Sequence, residues 1–474
     1  MAKRLHVTNP RTGQVDYEFD AVDPEELIKT CRRLRNANSQ WVARGVQGRL
    51  DVLRKFVAVI AHHEKELLAC LVEDTGRYGI SILESNFLSA QIEYLSQTVP
   101  ALLDPPAPRA TNMPGISGQV QYVPYTLMGN ISPWNFPFLL SMVDTLSALA
   151  AGCCVVAKPS EVACRFVTPL RKALADIPEL DAVCAFVLGD GEVGASLIAH
   201  VDVVSFTGSV RTGRKVAEAA AKQFIPAFME LGGKDPLIVT AGADLDMATE
   251  IALRASVAAT GQACQSIERV YVDSRVHDEF VRQLMVKAQH VEINYPDIHC
   301  GHIGPFIFSD QAAVVAGQIA DALSKGARLH YGGEILDHGG KWCLPTVLTE
   351  VTHDMDIMID ETFGPVIPIM RFSDLEEAIQ YANVGRYGLS ANVVADTLEQ
   401  GESIARRLNV GAVSINEGSL TSMIHGFEHQ PFKESGMGHS RMGPDAIMRY
   451  MRKKAIFVNS GPPVPVDTFK EVAV

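Results

Sequence analysis

Between Gln119 and residue 240 the chain alternates short apolar runs with longer amphipathic stretches, and few folds accept that texture. The apolar runs fall at 153–157, 185–188 and 203–206; helix-like segments at 138–151, 162–174 and 211–221 precede, separate and follow them. A run too short for a helix yet apolar throughout reads as a strand buried on both faces, which is the environment of a parallel sheet covered by helices. Residues 236–239 add one more such strand. A second alternation starts near Asp244, with strand-like runs at 270–272, 366–370, 391–394 and 412–415 and helical patterns at 374–382 and 397–408. The predicted class is therefore α/β, with more than one packed unit, because 474 residues exceed what a single core organises. The first hundred residues read as helices. Asp23 can cap a helix with Pro24 at its first position, and Val52, Phe56, Val59 and Ile60 recur at helical spacing, a pattern that resumes at 67–71. Pro100 and the Pro-rich stretch 104–108 predict a break and a linker.

Composition removes several function classes. Hydrophobic residues at 47% and charged residues at 20% describe a globular chain, and a net charge of -13 argues against nucleic-acid binding. No apolar run follows Lys3-Arg4 and none elsewhere reaches membrane-spanning length, so neither a secretory signal nor a membrane segment is expected. Nine cysteines (Cys31, Cys70, Cys153, Cys154, Cys164, Cys184, Cys264, Cys300 and Cys343) are odd in number and form no C-x-x-C pair. That predicts a reduced, cytoplasmic protein with no disulfide framework and no metal site.

Gly189-Asp190-Gly191-Glu192-Val193-Gly194 matches the G-x-G-x-x-G dinucleotide fingerprint. The acid expected about 20 residues on is missing, since that region reads Ser209-Val210-Arg211-Thr212-Gly213. Two acids in the loop would also oppose a pyrophosphate. A turn entering a helix explains the segment as well as a binding loop does.

A series of short motifs carries more. In order they are Pro133-Trp134-Asn135-Phe136-Pro137, Lys158-Pro159-Ser160-Glu161, Phe206-Thr207-Gly208-Ser209 with Gly213 four residues on, Glu230-Leu231-Gly232-Gly233-Lys234, Gly261-Gln262-Ala263-Cys264, and Glu361-Thr362-Phe363-Gly364-Pro365. Each is weak alone; the ordered set, from about Val7 to Val458, resembles the aldehyde dehydrogenase superfamily, of the hydrolytic type with a cysteine nucleophile. The resemblance implies two doubly wound parallel-sheet domains with a small β oligomerisation flap. It assigns 1–106 and 125–231 to NAD(P) binding and 232–430 to catalysis. The flap would be 107–124 with 450–474, and 431–449 would return toward the cofactor domain.

The same resemblance implies roles. Cys264 would attack the aldehyde carbon, as a partly ionised thiol can; its polar neighbours Gln262, Gln265 and Ser266 argue against a dry core. Asn135 would join the Cys264 backbone N–H in an oxyanion hole, although an Asn before Phe136-Pro137 also suits a helix cap. Glu230 would activate the water that hydrolyses the thioester; a strand-end ion pair with Lys234 is the plainer reading. Its presence speaks against transfer of the acyl group to coenzyme A. Lys158 and Glu161 would meet the adenosine ribose, and because Glu161 would repel a 2′-phosphate, NAD is favoured, with NADP possible. Trp134, Thr207, Gly208, Ser209, Gly213, Leu231, Glu361 and Phe363 would complete the cofactor contacts, the helix after Ser209 offering N–H groups to the pyrophosphate.

Leu139, Leu140 and Val143 are expected along one wall of an aldehyde channel, with Gln265, Met423 and Phe432 opposite; the loop 417–430 holds Met423 with Ile424, His425 and Phe427. No Lys or Arg lies in that loop, which predicts a neutral apolar or aromatic aldehyde. One departure stands out. After Phe432-Lys433-Glu434-Ser435-Gly436-Met437-Gly438 many relatives carry a Glu, where this chain reads His439-Ser440-Arg441-Met442. Family precedent further implies a homodimer or homotetramer joined through 118–125 and 454–458. The rival readings are a coenzyme A-acylating enzyme, a non-catalytic member of the fold, and a cysteine hydrolase, for which no local histidine signature exists.

Overall fold

The computed structural model describes residues 3–424 and 426–471. Both alternating stretches form sheets. The first has six strands in the order Gly436–Met437, Ala227–Glu230, Val203–Thr207, Leu127–Ile131, Cys154–Lys158 and Cys184–Phe186; all are parallel except the edge strand Gly436–Met437. Leu127–Ile131 is first in sequence yet central in space, so the winding reverses beside it. Crevices at such reversals, outside the carboxyl ends of the strands, are where ligands bind in sheets of this kind. The loops at this crevice are Ser132–Phe136 and Gly208–Ser209.

The second sheet has seven strands, in the order Arg328–Tyr331, Thr346–Thr349, Val366–Phe372, Ile267–Asp273, Asp235–Val239, Ser390–Val394 and Ala412–Ile415; only Arg328–Tyr331 is antiparallel. Separate apolar clusters cover its two faces, while one large cluster surrounds the first sheet. The strand interiors are buried along their whole length, for example Cys154–Lys158 and Val203–Thr207, as the unbroken apolar runs predicted. A connection of four residues, Leu231 to Lys234, carries the chain from the carboxyl edge of one sheet to the amino edge of the other. A third, antiparallel sheet pairs Met451–Asn459 with Ile116–Pro124 and Arg109–Ala110.

Three local expectations are corrected. The first twenty residues are not helical: Arg4–Thr8 and Val15–Asp20 form a hairpin with only Val7 and Phe19 buried, too few inward side chains to give a period-two signal. Pro100 does not break the chain. It lies inside the helix Tyr78–Leu103, close enough to its end that losing one backbone hydrogen bond is tolerated, and the helix stops three residues later. The helix expected from Val162 begins only at Val167.

Candidate active site

Three adjoining cavities run along the crevice between the two large sheets. One, of about 480 Å³, is lined by Trp134, Lys158, Glu161, Thr207, Gly208 and Ser209. The next, of about 330 Å³, shares Trp134, Thr207, Gly208 and Ser209 and adds Asn135, Glu230, Leu231, Cys264, Glu361 and Phe363. The third, of about 270 Å³, lies on the far side of Cys264 and shares Asn135, Thr207, Glu230, Leu231 and Cys264. Cys264, Asn135 and Glu230 therefore stand where a groove from one side meets a channel from the other.

The loop carrying Cys264 is held, not flexible. After the helix Leu245–Val257, Ala259, Thr260 and Gly261 all take left-handed backbone angles. A Cβ at Gly261 would meet the Gly364 carbonyl at 2.3 Å. Thr260 donates to the Gly304 carbonyl, and the fully buried Gln262 amide bonds Ala259, Pro305 and the Ile307 N–H. Gln262 is thus a buried anchor away from the channel, while Gln265 and the buried Ser266 both line it. Two glycines explain Glu230-Leu231-Gly232-Gly233-Lys234: a Cβ on Gly232 would strike the Glu361 carboxylate at 2.4 Å, and one on Gly233 the Cys264 carbonyl at 2.3 Å.

Asn135 is buried and donates through Nδ2 to the Gln262 carbonyl at 2.9 Å; its own carbonyl accepts from the buried Arg77. It does not cap a helix. The cap position of Pro137–Ala151 is Phe136, and Glu84 takes the Phe138 and Leu139 N–H groups instead. Glu230 is free of the ion pair its spacing suggested, because Lys234 bonds Glu268 at 2.8 Å and Thr362 at 2.7 Å. Glu268 also accepts from the Thr362 and Phe363 N–H groups, fixing the segment that presents Glu361. Burial and the neighbouring Glu268 push the Glu361 carboxyl up to about 8. Burial, then the negative charges of Glu361, Asp235 and Glu230, push the Cys264 thiol up to about 12, with Arg441 opposing.

The groove fits an elongated dinucleotide. The helix Val210–Gln223 starts at its centre, capped by Ser209, so unbonded N–H groups and the positive end of the helix face the shared residues. A Cβ at Gly208 would enter the Phe206 ring, which keeps this turn tight. Lys158 and Glu161 sit together at one end, 3.1 Å apart. Trp134 and Phe363 meet edge to face near the other, with centroids 5.4 Å apart. Gly213 does not line the groove; it makes room for Leu231, whose side chain a Cβ there would meet at 2.6 Å. The fingerprint-like loop is a capped turn: Asp190 accepts from the Glu192 N–H and pairs with Lys3, although Gly191 and Gly194 touch the groove wall.

The channel contains Leu139, Leu140, Val143 and Gln265 together with Ile80, Phe87 and Leu389. Met423 and Phe432 do not line it. Met423 is 53% exposed past the short turn Leu420–Ser422, and Phe432 is held on the surface by strand pairing with Gly388. Ile424 and Phe427 are likewise exposed, and His425 lies outside the described residues. Arg254 and Arg441 reach the channel from elsewhere, and His429 reaches it from the far end of the same loop. No spacing in the sequence linked Arg254, Glu268 or Arg441 to this site.

The model of the Aldehyde dehydrogenase family matches residues 1–456. The chain belongs to the aldehyde dehydrogenase family. This aldehyde dehydrogenase is 35% identical over 458 residues to a Mycobacterium ulcerans protein named "Putative succinate-semialdehyde dehydrogenase [NADP(+)] 2", covering 93% of this chain and 87% of that one. Its fold superimposes on a solved structure from Anabaena variabilis, "Putative Aldehyde Dehydrogenase PutA", with a TM-score of 0.96 and 47% identity over 98% of this chain and 99% of that chain. It also matches a betaine aldehyde dehydrogenase of Staphylococcus aureus solved in complex with NAD+, with a TM-score of 0.89 and 25% identity over 99% and 96% of the two chains. Among the described residues no helix is long and apolar enough to cross a membrane, and no cluster of three or more His, Cys, Asp or Glu could hold a metal.

Proposed function

We propose that this aldehyde dehydrogenase oxidises an aldehyde to the free carboxylic acid through a thioester on Cys264. The observation that carries this is the meeting of Cys264, Asn135 and Glu230 at the junction of groove and channel. Aldehyde enters along the channel and dinucleotide along the groove. The Cys264 sulfur bonds the carbonyl carbon as the C=O π pair moves to oxygen. The thiol proton passes to solvent water in the cleft, and Glu230 is kept for the second step. The Asn135 Nδ2, with one hydrogen committed to Gln262, directs the other at the alkoxide beside the Cys264 N–H. Bound NAD(P)+ supplies a hydride acceptor. Glu230 then takes a proton from water, the water oxygen bonds the thioester carbon, and the C–S bond breaks as that proton passes from Glu230 to the sulfur, releasing acid and restoring the thiol.

Asn135→Ala removes one oxyanion donor. The expected result is a fall in kcat of about 10²–10³-fold with a small change in KM, read by steady-state NAD(P)H formation; an unchanged kcat excludes this donor.

Lys158 and Glu161 support binding of the adenosine ribose, with NAD preferred over NADP because a carboxylate repels a 2′-phosphate. This reading gives 1–106 and 125–231 to dinucleotide binding and 232–430 to the chemistry. The exposed Phe457 and Val458 on the edge of the third sheet support a homo-oligomer. All nine cysteines are free, which supports a reducing compartment.

The channel wall is mostly aliphatic and aromatic, which favours an apolar or aromatic aldehyde. No Lys or Arg comes from the loop 417–430, but Arg441 enters from the returning segment, paired with Asp144, and Arg254 comes in from the helix Leu245–Val257. Its Nη2 is already bonded to Glu417 at 2.6 Å and to the Gly418 carbonyl, so little of its charge is left for a second substrate carboxylate. The Mycobacterium ulcerans relative's name points instead to a semialdehyde acid. The expected outcome is a higher kcat/KM for benzaldehyde than for succinic semialdehyde; the reverse order overturns the apolar reading.

A further inference from the structure

Behind Glu230 lies a charge cluster that these catalytic roles do not use. Asp144 is fully buried and accepts hydrogen bonds from Arg441 Nη2 at 2.8 Å, Tyr450 Oη at 2.7 Å and Ser205 Oγ at 2.9 Å. Arg449, 1% exposed, stands 3.7 Å from the same carboxylate. Burial alone would raise the Asp144 carboxyl, but the two guanidinium groups and these hydrogen bonds outweigh it and hold the carboxyl below its ordinary value. The cluster therefore contains one buried negative charge against two positive ones. An uncompensated buried charge is strongly destabilising, as when one partner of a buried ion pair is removed.

The compensating charge is close by. Arg441 Nη2 also donates to the Thr207 hydroxyl. Thr207 is the register partner of Glu230 on neighbouring strands, and Gly436, on the returning segment that leads to Arg441, pairs with Glu230 from the other side. Arg441 and Glu230 line the same channel. Burial opposes the charge on Arg441, and Asp144 and then Glu230 raise its guanidinium above the ordinary value despite it. Among the described residues Nη1 has no hydrogen-bond partner and Glu230 forms no ion pair within 4.0 Å, so the two groups act on each other through space within the channel. His439 is not a substitute for the acid that many relatives carry here; it is exposed, against Phe228, and outside the channel.

We propose that Arg441 is a positioning residue that holds the Glu230 carboxylate facing the acyl group, and so governs hydrolysis of the acyl-enzyme rather than its formation. At formal charge the two carboxylates Asp144 and Glu230 balance the two guanidinium groups of Arg441 and Arg449. The inference rests on Glu230 being the hydrolytic base, and the test separates the two claims.

The probe is 4-nitrophenyl acetate. Cys264 attacks the ester carbon, the C–O bond breaks, nitrophenolate leaves, and an acetyl thioester remains to be hydrolysed, all without dinucleotide. In Arg441→Met the nitrophenolate burst is expected to stay within about fivefold of the parent rate. Steady-state release is expected to fall on the order of 10²-fold, as for loss of general-base assistance, and intact-protein mass spectrometry is expected to show the acetylated chain persisting. Arg441→Lys should restore much of the turnover, and Arg441→Met/Glu230→Gln should be no slower than Glu230→Gln alone. Equal losses in burst and steady state, or no loss, overturn the inference. If Glu230→Gln itself fails to accumulate acyl-enzyme, the hydrolytic-base reading falls instead. Should Arg441→Met not fold, as judged by thermal melting, Asp144→Asn/Arg441→Met removes one charge of each sign and is held to the same outcomes.

Discussion

Cys264→Ser is expected to lower NAD(P)H formation on the order of 10⁴-fold or more, the scale of removing a covalent nucleophile. The hydroxyl is close in size to the thiol but far less nucleophilic, and the loop is anchored by Gln262 and Thr260 rather than by the sulfur. Melting temperature and dinucleotide affinity should therefore hold while turnover is lost. The thiol itself carries a signature. Pushed up to about 12, it is almost wholly protonated at neutral pH in the free protein, so its alkylation by iodoacetamide should climb by roughly tenfold per pH unit between neutral pH and pH 10. Peptide mapping separates Cys264 from the exposed Cys300. Oxidation that survives the substitution would end the covalent mechanism.

Glu230→Gln is expected to leave the first turnover and abolish those that follow. A single burst of NAD(P)H per site should persist, steady-state kcat should drop by about 10²–10⁴-fold, and the acyl-enzyme should be visible by mass. The geometry behind this is the freedom of the Glu230 side chain. Lys234, the partner suggested by sequence spacing, is taken by Glu268 and Thr362, so the substitution breaks no direct ion pair, and thermal melting reads any loss from the Arg441 cluster. A variant that loses burst and steady state together would instead make Glu230 a group for the first step. Added coenzyme A should not raise turnover of the unsubstituted enzyme.

Much of this molecule was legible before its fold. The alternation from Gln119 onward required buried parallel strands, and those at 153–157, 203–206 and 412–415 appear within one or two residues of their predicted limits. Asp23, Asp374 and Thr397 cap helices as their residue types suggest. The motif series named Cys264, Asn135, Glu230, Glu361 and Phe363, which the crevice gathers. These succeeded because the signals are local: a cap bonds an N–H two or three residues away, and a buried strand must be apolar along its whole length.

Other features were decided only in three dimensions. Gly213 belonged to a motif and turned out to pack against Leu231; Met423 and Phe432 had the character of a channel wall and lie outside it. Glu268, Arg254 and Arg441 belong to no motif, yet they anchor Glu361, enter the channel and face Glu230. Sequence determined which strands are buried, which helices are capped and which short motifs are present. Tertiary structure decided which distant charges meet, because a buried ion pair is fixed by the packing of separate elements and by the cost of leaving either charge alone, and neither leaves a periodicity in the chain.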